Sequence, residues 1–304
     1  MRHEYRPPRR RYRLTRRGRL ALFLGILLVI GTAVTLGPLL RREEAEAPEK
    51  PRTLVIPEGW RAPQVYAAID RELELPAGSA KAAVATAELA LPAEAKGNPE
   101  GFLFPASYPV TSGTTAAELL ARMVRTANRK LGTRAVADGA KAHGMTPYQT
   151  ATLASVIEAE ADTRSDMGKV ARVVHNRLAR SMPLQMDSTI NYALNRRTVD
   201  TKLSDTRIDH PFNTYRRQGL PPTPIDSPGL QAMAAAVAPT PGDWLYFVTV
   251  KPGDTRFSAT YEEHKRHVAD FNRARAAAAA AAAAGAPPRQ APPRQAPPRQ
   301  ALSG

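Results

Sequence analysis

The first clear pattern along the chain is an apolar stretch without any charged side chain. It covers residues 20–40, a length of 21 residues. As a helix rising about 1.5 Å per residue, it would reach roughly 32 Å, close to the thickness of the hydrocarbon core of a bilayer. We therefore predict a single transmembrane helix there. A cleaved signal peptide is the alternative, although its apolar core is usually shorter and no small-x-small cleavage site directly follows this stretch.

After a charged linker at residues 41–51, the pattern changes to short segments with strand and helix periods. Residues 53–56 predict a brief strand, and residues 62–72 predict a helix with one apolar face. These elements belong to a segment, residues 52–93, that is too small to be a whole domain. We interpret it as a small α/β module.

Residues 94–275 contain the longer amphipathic helices and a final strand pair. Thr146 as N-cap and Pro147 at the first helical position predict the start of one helix. The other predicted elements are helices at 115–131, 166–180 and 261–275 and strands at 244–250 and 255–259. The fold class expected from this order is α+β. Residues 276–304 form a tail of nine alanines, which can extend the last helix, and three Ala-Pro-Pro-Arg-Gln copies, which cannot form a core.

The net charge of +15 would by itself suggest a nucleic-acid ligand, but its distribution argues against one. Residues 1–19 contribute +8 and residues 273–304 contribute +5, so the part between them is nearly neutral. The basic flank before the apolar stretch predicts a cytoplasmic N-terminus, with the chain after residue 41 outside. We expect a single-pass plasma-membrane protein with an extracytoplasmic domain and no nucleic-acid partner. Because the chain has no cysteine, that domain must rely on a hydrophobic core.

Two acidic residues interrupt the apolar stripe of the helix that begins at Pro147. Positions two apart on a helix are about 200° apart, so Glu158 and Glu160 cannot both point into one cleft. Glu158 shares its face with the small residues Ala151, Ala154 and Ser155, which would let a bulky substrate approach. Glu158 is therefore the better candidate for a catalytic acid. The alternative is that both glutamates are ordinary surface or capping carboxylates.

Further polar residues follow this helix. Asp187 could supply the second carboxylate that a glycoside hydrolase normally needs, although an Asp before Ser and Thr is also typical of a helix N-cap. Asn213 and Tyr215 could hydrogen-bond a sugar, or their segment could simply be a loop anchored by its aromatic residues. No metal site or cofactor is predicted, because the histidines are scattered. They are His3, His143, His175, His210, His264 and His267.

Seven short motifs, in order, give the chain a resemblance to a known family. They are Leu-Val-Ile-Pro-Glu-Gly-Trp (54–60), Pro-Glu-Gly-Phe-Leu-Phe-Pro (99–105), Ala-Ser-Val-Ile-Glu-Ala-Glu (154–160), Val-Val-His-Asn-Arg-Leu (173–178), Leu-Gln-Met-Asp-Ser-Thr (184–189), Phe-Asn-Thr-Tyr (212–215) and Gly-Leu-Pro-Pro (219–222). In these motifs the chain resembles the MltG (YceG-like) family of endolytic murein transglycosylases, over roughly residues 52–272.

The resemblance implies an activity on the glycan strands of peptidoglycan. The β-1,4 bond between N-acetylmuramic acid and N-acetylglucosamine would be cleaved within nascent strands, leaving a 1,6-anhydromuramic end and limiting strand length. Glu158 would be the catalytic acid and base. The helical separation from Glu158 makes Glu160 a structural residue that supports the site without contacting substrate. Peptidoglycan synthases are the expected protein partners. Residues expected around the substrate are Glu100, Gln185, Asp187, Asn213 and Tyr215.

Two features depart from the family pattern. The segment at residues 52–93, which would be the LysM-like module, is shorter than usual, and Ala159 replaces the lysine common between the two glutamates. Two alternatives to a transglycosylase remain open on the sequence. One is a non-catalytic scaffold that binds the wall within a synthesis complex, and the other is a muramidase-type hydrolase.

Overall fold

The computed structural model describes residues 15–17, 20–21, 24–27, 52–196, 201–283 and 285. The chain divides into two units, residues 1–51 and residues 52–304. The segments predicted as cytoplasmic tail, transmembrane helix and C-terminal tail lie largely outside the described residues, and the predicted linker lies wholly outside them. Within those described ranges, no helix combines the length and the apolar character needed to cross a membrane.

The second unit contains helices and two short antiparallel strand pairs. The strands are β1 (Arg52–Val55), β2 (Ser107–Val110), β3 (Tyr246–Lys251) and β4 (Asp254–Ser258). The helices are α1 (Ala62–Glu72), α2 (Ser79–Ala83), α3 (Ala116–Leu131), α4 (Arg134–Ala142), α5 (Pro147–Glu160), α6 (Arg164–Ala179), α7 (Asp187–Ala193), α8 (Leu230–Val237) and α9 (Tyr261–Ala283). The predicted mixed α+β class is confirmed.

The first strand pair joins parts of the chain that the sequence suggests are separate. β1 pairs with β2, with Arg52 opposite Val110, so the pairing crosses the boundary expected near residue 93. Val65 and Ile69 of α1 are fully buried and belong to the same hydrophobic cluster as Phe102. The segment at 52–93 therefore shares a core with elements beyond residue 93. Its description as a LysM-like module stays a prediction.

Helix α5 occupies the centre of the fold. It begins with a capping box in which Thr146 accepts the N–H of Gln149 at 3.2 Å and Gln149 accepts the N–H of Thr146 at 2.9 Å. Every residue from Tyr148 to Ile157 except Gln149 is buried, because α5 contacts α3, α4, α6, α7 and α8. A helix that is apolar on all sides is stable only inside the protein. Glu158 and Glu160, at its C-terminal end, are therefore placed by the surrounding elements.

Most of the long elements lie where their periodicity predicts them. The helix at 62–72 has the predicted bounds, and the helix predicted at 166–180 begins two residues earlier, at Arg164, with Thr163 as its N-cap. The short elements α2, α4, α7, α8 and β2 were not predicted, since segments of this length carry little periodic signal. The N-cap interpretation of Asp187 is wrong, because Met186 is the N-cap of α7 and Asp187 is its first residue.

Candidate active site

Glu158 lies in the last turn of α5 and is half-buried. Its Oε2 accepts the backbone N–H of Gly229, the N-cap residue of α8, at 3.0 Å. Burial raises the pKa of Glu158 to about 7, the hydrogen bond from Gly229 lowers it, and the charges of Glu58 and Asp162 raise it. A carboxyl group with this pKa is partly protonated near neutral pH, as a general acid must be.

The segment at residues 225–229 fits closely against α5. Ser155 Oγ accepts the N–H of Ile225 at 3.0 Å and donates to the carbonyl of Thr152 at 2.8 Å. Ala151, Ala154 and Ser155 are all fully buried. The expectation that these small residues let a substrate approach the helix is therefore wrong, because they accommodate the chain's own packing against α5.

The loop at residues 57–60 reaches the same place from the other side. Gly59 donates its N–H to the carbonyl of Ser227 at 2.9 Å, and Ser227 donates its N–H to the carbonyl of Trp60 at 2.8 Å. A Cβ atom added to Gly59 would lie 3.8 Å from Cγ of Glu158. Glu58, in this loop, is thus brought next to the candidate acid. The sequence does not predict that Glu58 lies near Glu158, because Pro57-Glu58-Gly59 indicates only a turn.

Glu160 faces a different set of residues, as the helical geometry predicts. Its Oε1 accepts the N–H of Ser188 at 3.3 Å, at the start of α7. Asp187 Oδ1 accepts the hydroxyl of Tyr215 at 2.6 Å. Burial raises the pKa of Glu160, and the charge of Asp187 raises it further. Glu160, Asp187 and Tyr215 therefore form a second polar cluster, which we call the Tyr215 cluster.

Gln185 lies beside the Tyr215 cluster in a segment shaped by a buried arginine. Arg177 donates to the carbonyls of Leu184 at 2.7 Å and Leu245 at 2.6 Å and to Gln185 Oε1 at 3.1 Å. Gln185 has a φ of 53° and donates its N–H to the carbonyl of Thr214 at 2.9 Å. Its side chain is exposed. Arg177 was not singled out from the sequence, although it lies in the His-Asn-Arg motif.

Asn213 lies next to this cluster but is fully buried. Its Nδ2 donates to the carbonyls of Thr206 at 3.0 Å and Ile208 at 2.7 Å, and its Oδ1 accepts the N–H of Tyr215 at 3.0 Å. The hydrogen bonds of the amide are therefore made within its own loop.

Glu100 is also inside the protein, with an exposed fraction of 3 %. Its carboxylate accepts the N–H of Ala62 at 2.9 Å and the hydroxyl of Tyr192 at 3.2 Å. The guanidinium of Arg61 lies 5.0 Å from the centre of the Tyr192 ring. Burial raises the pKa of Glu100 to about 7. Glu100 thus joins the start of α1 to α7, and the structure places it in the core instead of on an open substrate surface.

A comparison with known families fits this arrangement. The sequence profile of the YceG-like family matches residues 33–270 of the chain. The chain belongs to the YceG-like family. The match includes the helix with Glu158, the loop with Glu58 and the Tyr215 cluster, so the main elements described above lie within the family domain.

Individual relatives of this YceG-like chain carry more specific names. An endolytic murein transglycosylase of Bacillus subtilis is 36% identical over 168 residues, which are 55% of this chain and 46% of the relative. An endolytic murein transglycosylase of Streptococcus pneumoniae is 36% identical over 177 residues, covering 56% of this chain and 32% of the relative. The matched region thus spans less than half the length of these curated relatives.

A solved structure shares the fold. The crystal structure of a yceG-like protein from Listeria monocytogenes superposes with a TM-score of 0.61 at 31% identity, covering 71% of this chain and 75% of that one.

The surface of the YceG-like domain has two cavities at the opposite end of α5. Their volumes are about 630 and 650 Å³, and Gly144, Met145 and Thr146 line both of them. Glu158 is not among their lining residues. In the part of the chain that the structure describes, no cluster of His, Cys, Asp or Glu residues could hold a metal ion.

Proposed function

We propose that this YceG-like chain is a lytic transglycosylase that cleaves peptidoglycan glycan strands internally. The observation that carries the proposal is Glu158: a half-buried carboxyl group with a pKa of about 7, held by the N–H of Gly229 at the end of a buried helix. The names of the relatives from Bacillus subtilis and Streptococcus pneumoniae supply the substrate class.

In the proposed reaction, Glu158 is both acid and base. The protonated carboxyl group donates its proton to the glycosidic oxygen, so that the bond from this oxygen to C1 of the muramyl residue breaks. The carboxylate then accepts the proton of the C6 hydroxyl, whose oxygen forms the new bond to C1. The product is a 1,6-anhydro end, no water is consumed, and Glu158 regains its proton. The N–H of Gly229 stabilises the carboxylate between the two steps.

Asp187, Tyr215 and Gln185 are proposed to hold the glycan. Gln185 is exposed, while Asp187 and Tyr215 hold each other through a 2.6 Å hydrogen bond. Polar side chains fixed in this way can bind sugar hydroxyl groups without losing much conformational entropy on binding. Glu160 fixes the start of α7 and so supports the position of Asp187.

The decisive experiment is digestion of purified glycan strands by the chain, followed by mass spectrometry of the products. We expect products with 1,6-anhydromuramic ends, and a loss of activity of at least about 100-fold in Glu158→Gln, since removing a general acid typically costs about 10²–10⁴ in rate. Glu88→Gln, which makes the same change at an exposed position, should retain full activity. Full activity in Glu158→Gln would contradict the assignment.

The same digestion tests the alternative of a muramidase-type hydrolysis. Glycoside hydrolases need two carboxylates near the scissile bond, and Glu58 lies beside Glu158. Asp187 was the expected second carboxylate, but its contacts are in the Tyr215 cluster. Reducing ends without the anhydro form would support hydrolysis. Absence of any cleavage, together with binding of strands, would instead support a non-catalytic scaffold.

We further propose that residues 20–40 anchor the protein in the plasma membrane, with the N-terminus in the cytoplasm and the YceG-like domain outside. The basic residues before the apolar stretch support this orientation. Reporter fusions after residue 51 that are active only outside the cytoplasm would agree with it, and activity only inside would contradict it. Peptidoglycan synthases are the proposed partners, and co-purification after cross-linking tests this.

A further inference from the structure

The carboxylates of Glu58 and Glu158 both lie against Gly229, at the start of α8. Gly229 donates its N–H to Glu158 at 3.0 Å. A Cβ atom added to Gly229 would lie 1.9 Å from Oε1 of Glu58, so this oxygen occupies the space directly above the glycine. Only a residue without a side chain leaves room for Glu58 at this place. The glycine therefore allows Glu58 to lie close to the proposed acid.

Backbone hydrogen bonds hold the loop that carries Glu58. The loop at residues 57–60 is joined to the segment at residues 225–229 by the two hydrogen bonds between Gly59, Ser227 and Trp60. The same loop places Gly59 against the Glu158 side chain. A pair of backbone hydrogen bonds of this kind restrains the loop more than exposed side-chain contacts do. The fold therefore holds the loop that carries Glu58 beside Glu158.

We propose that Glu58 is a positioning residue for Glu158, which keeps Glu158 in the protonated form that the reaction requires. This inference rests on the proposed function. When two carboxylates lie close together, ionisation of one opposes ionisation of the other. Glu158 is half-buried, so loss of its proton would place a second negative charge close to Glu58 in a partly desolvated position.

The charged groups around Glu158 are consistent with a protonated Glu158 carboxyl group. The loop at 57–60 contributes Glu58, and the turn after α5 contributes Asp162, and both raise the pKa of Glu158. The segment at 225–229 contributes the N–H of Gly229 and carries one carboxylate, Asp226, which is buried. Of the two residues whose charge raises this pKa, Asp162 follows Glu158 on the same stretch of chain, whereas only Glu58 is brought to it by the tertiary fold.

The proposal is tested with Glu58→Gln, which removes the charge and keeps the size of the side chain. The pH dependence of strand cleavage is measured for both proteins. At about pH 5, where Glu158 is protonated in both, we expect equal rates. At about pH 8 we expect Glu58→Gln to be slower by about threefold, because a smaller fraction of Glu158 then carries its proton. Glu58→Asp keeps the charge and should restore the parent profile.

Two further variants separate this role from a structural one. Gly229→Ala displaces the Glu58 carboxylate without removing its charge, and combining it with Glu58→Gln should add little to the loss at high pH. Glu88→Gln, a charge removal at an exposed site, should leave the profile unchanged. Equal pH profiles for Glu58→Gln and the parent would overturn the proposal.

A direct titration of the Glu158 carboxyl group tests the role of Glu58 without relying on cleavage activity. With ¹³C-labelled glutamate, the carboxyl signal of Glu158 is assigned by its absence in Glu158→Gln and then titrated in the parent and in Glu58→Gln. We expect the titration midpoint to be lower in Glu58→Gln, and an unchanged midpoint would overturn the proposal. If the parent cleaves no strands, the proposed function fails, while this titration still decides the role of Glu58.

Discussion

Glu158 and Glu160 lie two positions apart in α5, and their different surroundings give them different roles. Glu158 accepts a hydrogen bond from Gly229, and the charge of Glu58 raises its pKa. Glu160 accepts a hydrogen bond from Ser188, and the charge of Asp187 raises its pKa. The angular separation on the helix was predictable from their spacing. The partners were not, because they come from segments about 28 to more than 70 positions away in the chain.

Glu100 makes the stability of the domain depend on pH. Its pKa rises from an ordinary value of 4.5 to about 7 on folding, so its contribution is fully present below about pH 4.5 and is lost as pH rises through 7. We expect the free energy of unfolding to fall by up to about 3 kcal/mol over this range in the parent, relative to Glu100→Gln. Urea titrations between these pH values measure this difference. A parallel pH dependence in both proteins would contradict the assignment.

At the level of elements, α5 connects local sequence signals to the site. Its N-terminus is set by a capping box and by Pro147, both readable from sequence. Its C-terminal end is set by tertiary contacts with the segment at 225–229 and with α7. The end of α5 that carries the proposed chemistry is therefore the end that local rules describe least.

The capping box itself gives a prediction about stability. We expect Thr146→Ala to lower the free energy of unfolding by about 1 kcal/mol, because the N–H of Gln149 loses its acceptor. Cleavage activity under stable conditions should stay unchanged, since Glu158 lies at the other end of α5. Thr133→Ala serves as the matched control, because the Thr133 hydroxyl accepts no N–H of α4 and donates instead to the carbonyl of Lys130 at 2.9 Å. A smaller loss in Thr146→Ala than in Thr133→Ala would contradict this account.

At the scale of the whole molecule, the segment at residues 52–93 completes the core. β1 pairs with β2, and buried side chains of α1 join the same hydrophobic cluster as Phe102 and Leu103. The same segment contains the loop at 57–60, which places Glu58 beside Glu158. Its structural and proposed catalytic contributions thus come from one packing arrangement.

We therefore expect a chain that begins at residue 94 to fail to fold cooperatively. It would lack Leu54, Ile56, Val65 and Ile69, whose exposed fractions are all 5% or less. Tyr108 and Val110 of β2 would lose their partners in β1. A chain that begins at residue 52 should show one cooperative thermal transition measured by circular dichroism. Cooperative unfolding of the shorter chain would show instead that residues 94–275 form an independent domain.

The longer elements and the choice of Glu158 as the proposed acid could be predicted from the amino-acid sequence. Helices such as α1 and α5 follow from periodicity and capping, which are local, and the seven ordered motifs carry the resemblance that the family match confirms. The contacts between polar residues could not be predicted in this way, because they follow from how the elements pack. It buried Asn213 and Glu100, joined Asp187 to Tyr215, and brought Glu58 to Glu158. Burial and pKa depend on neighbours that are distant in the chain, and no local pattern of residues encodes those neighbours.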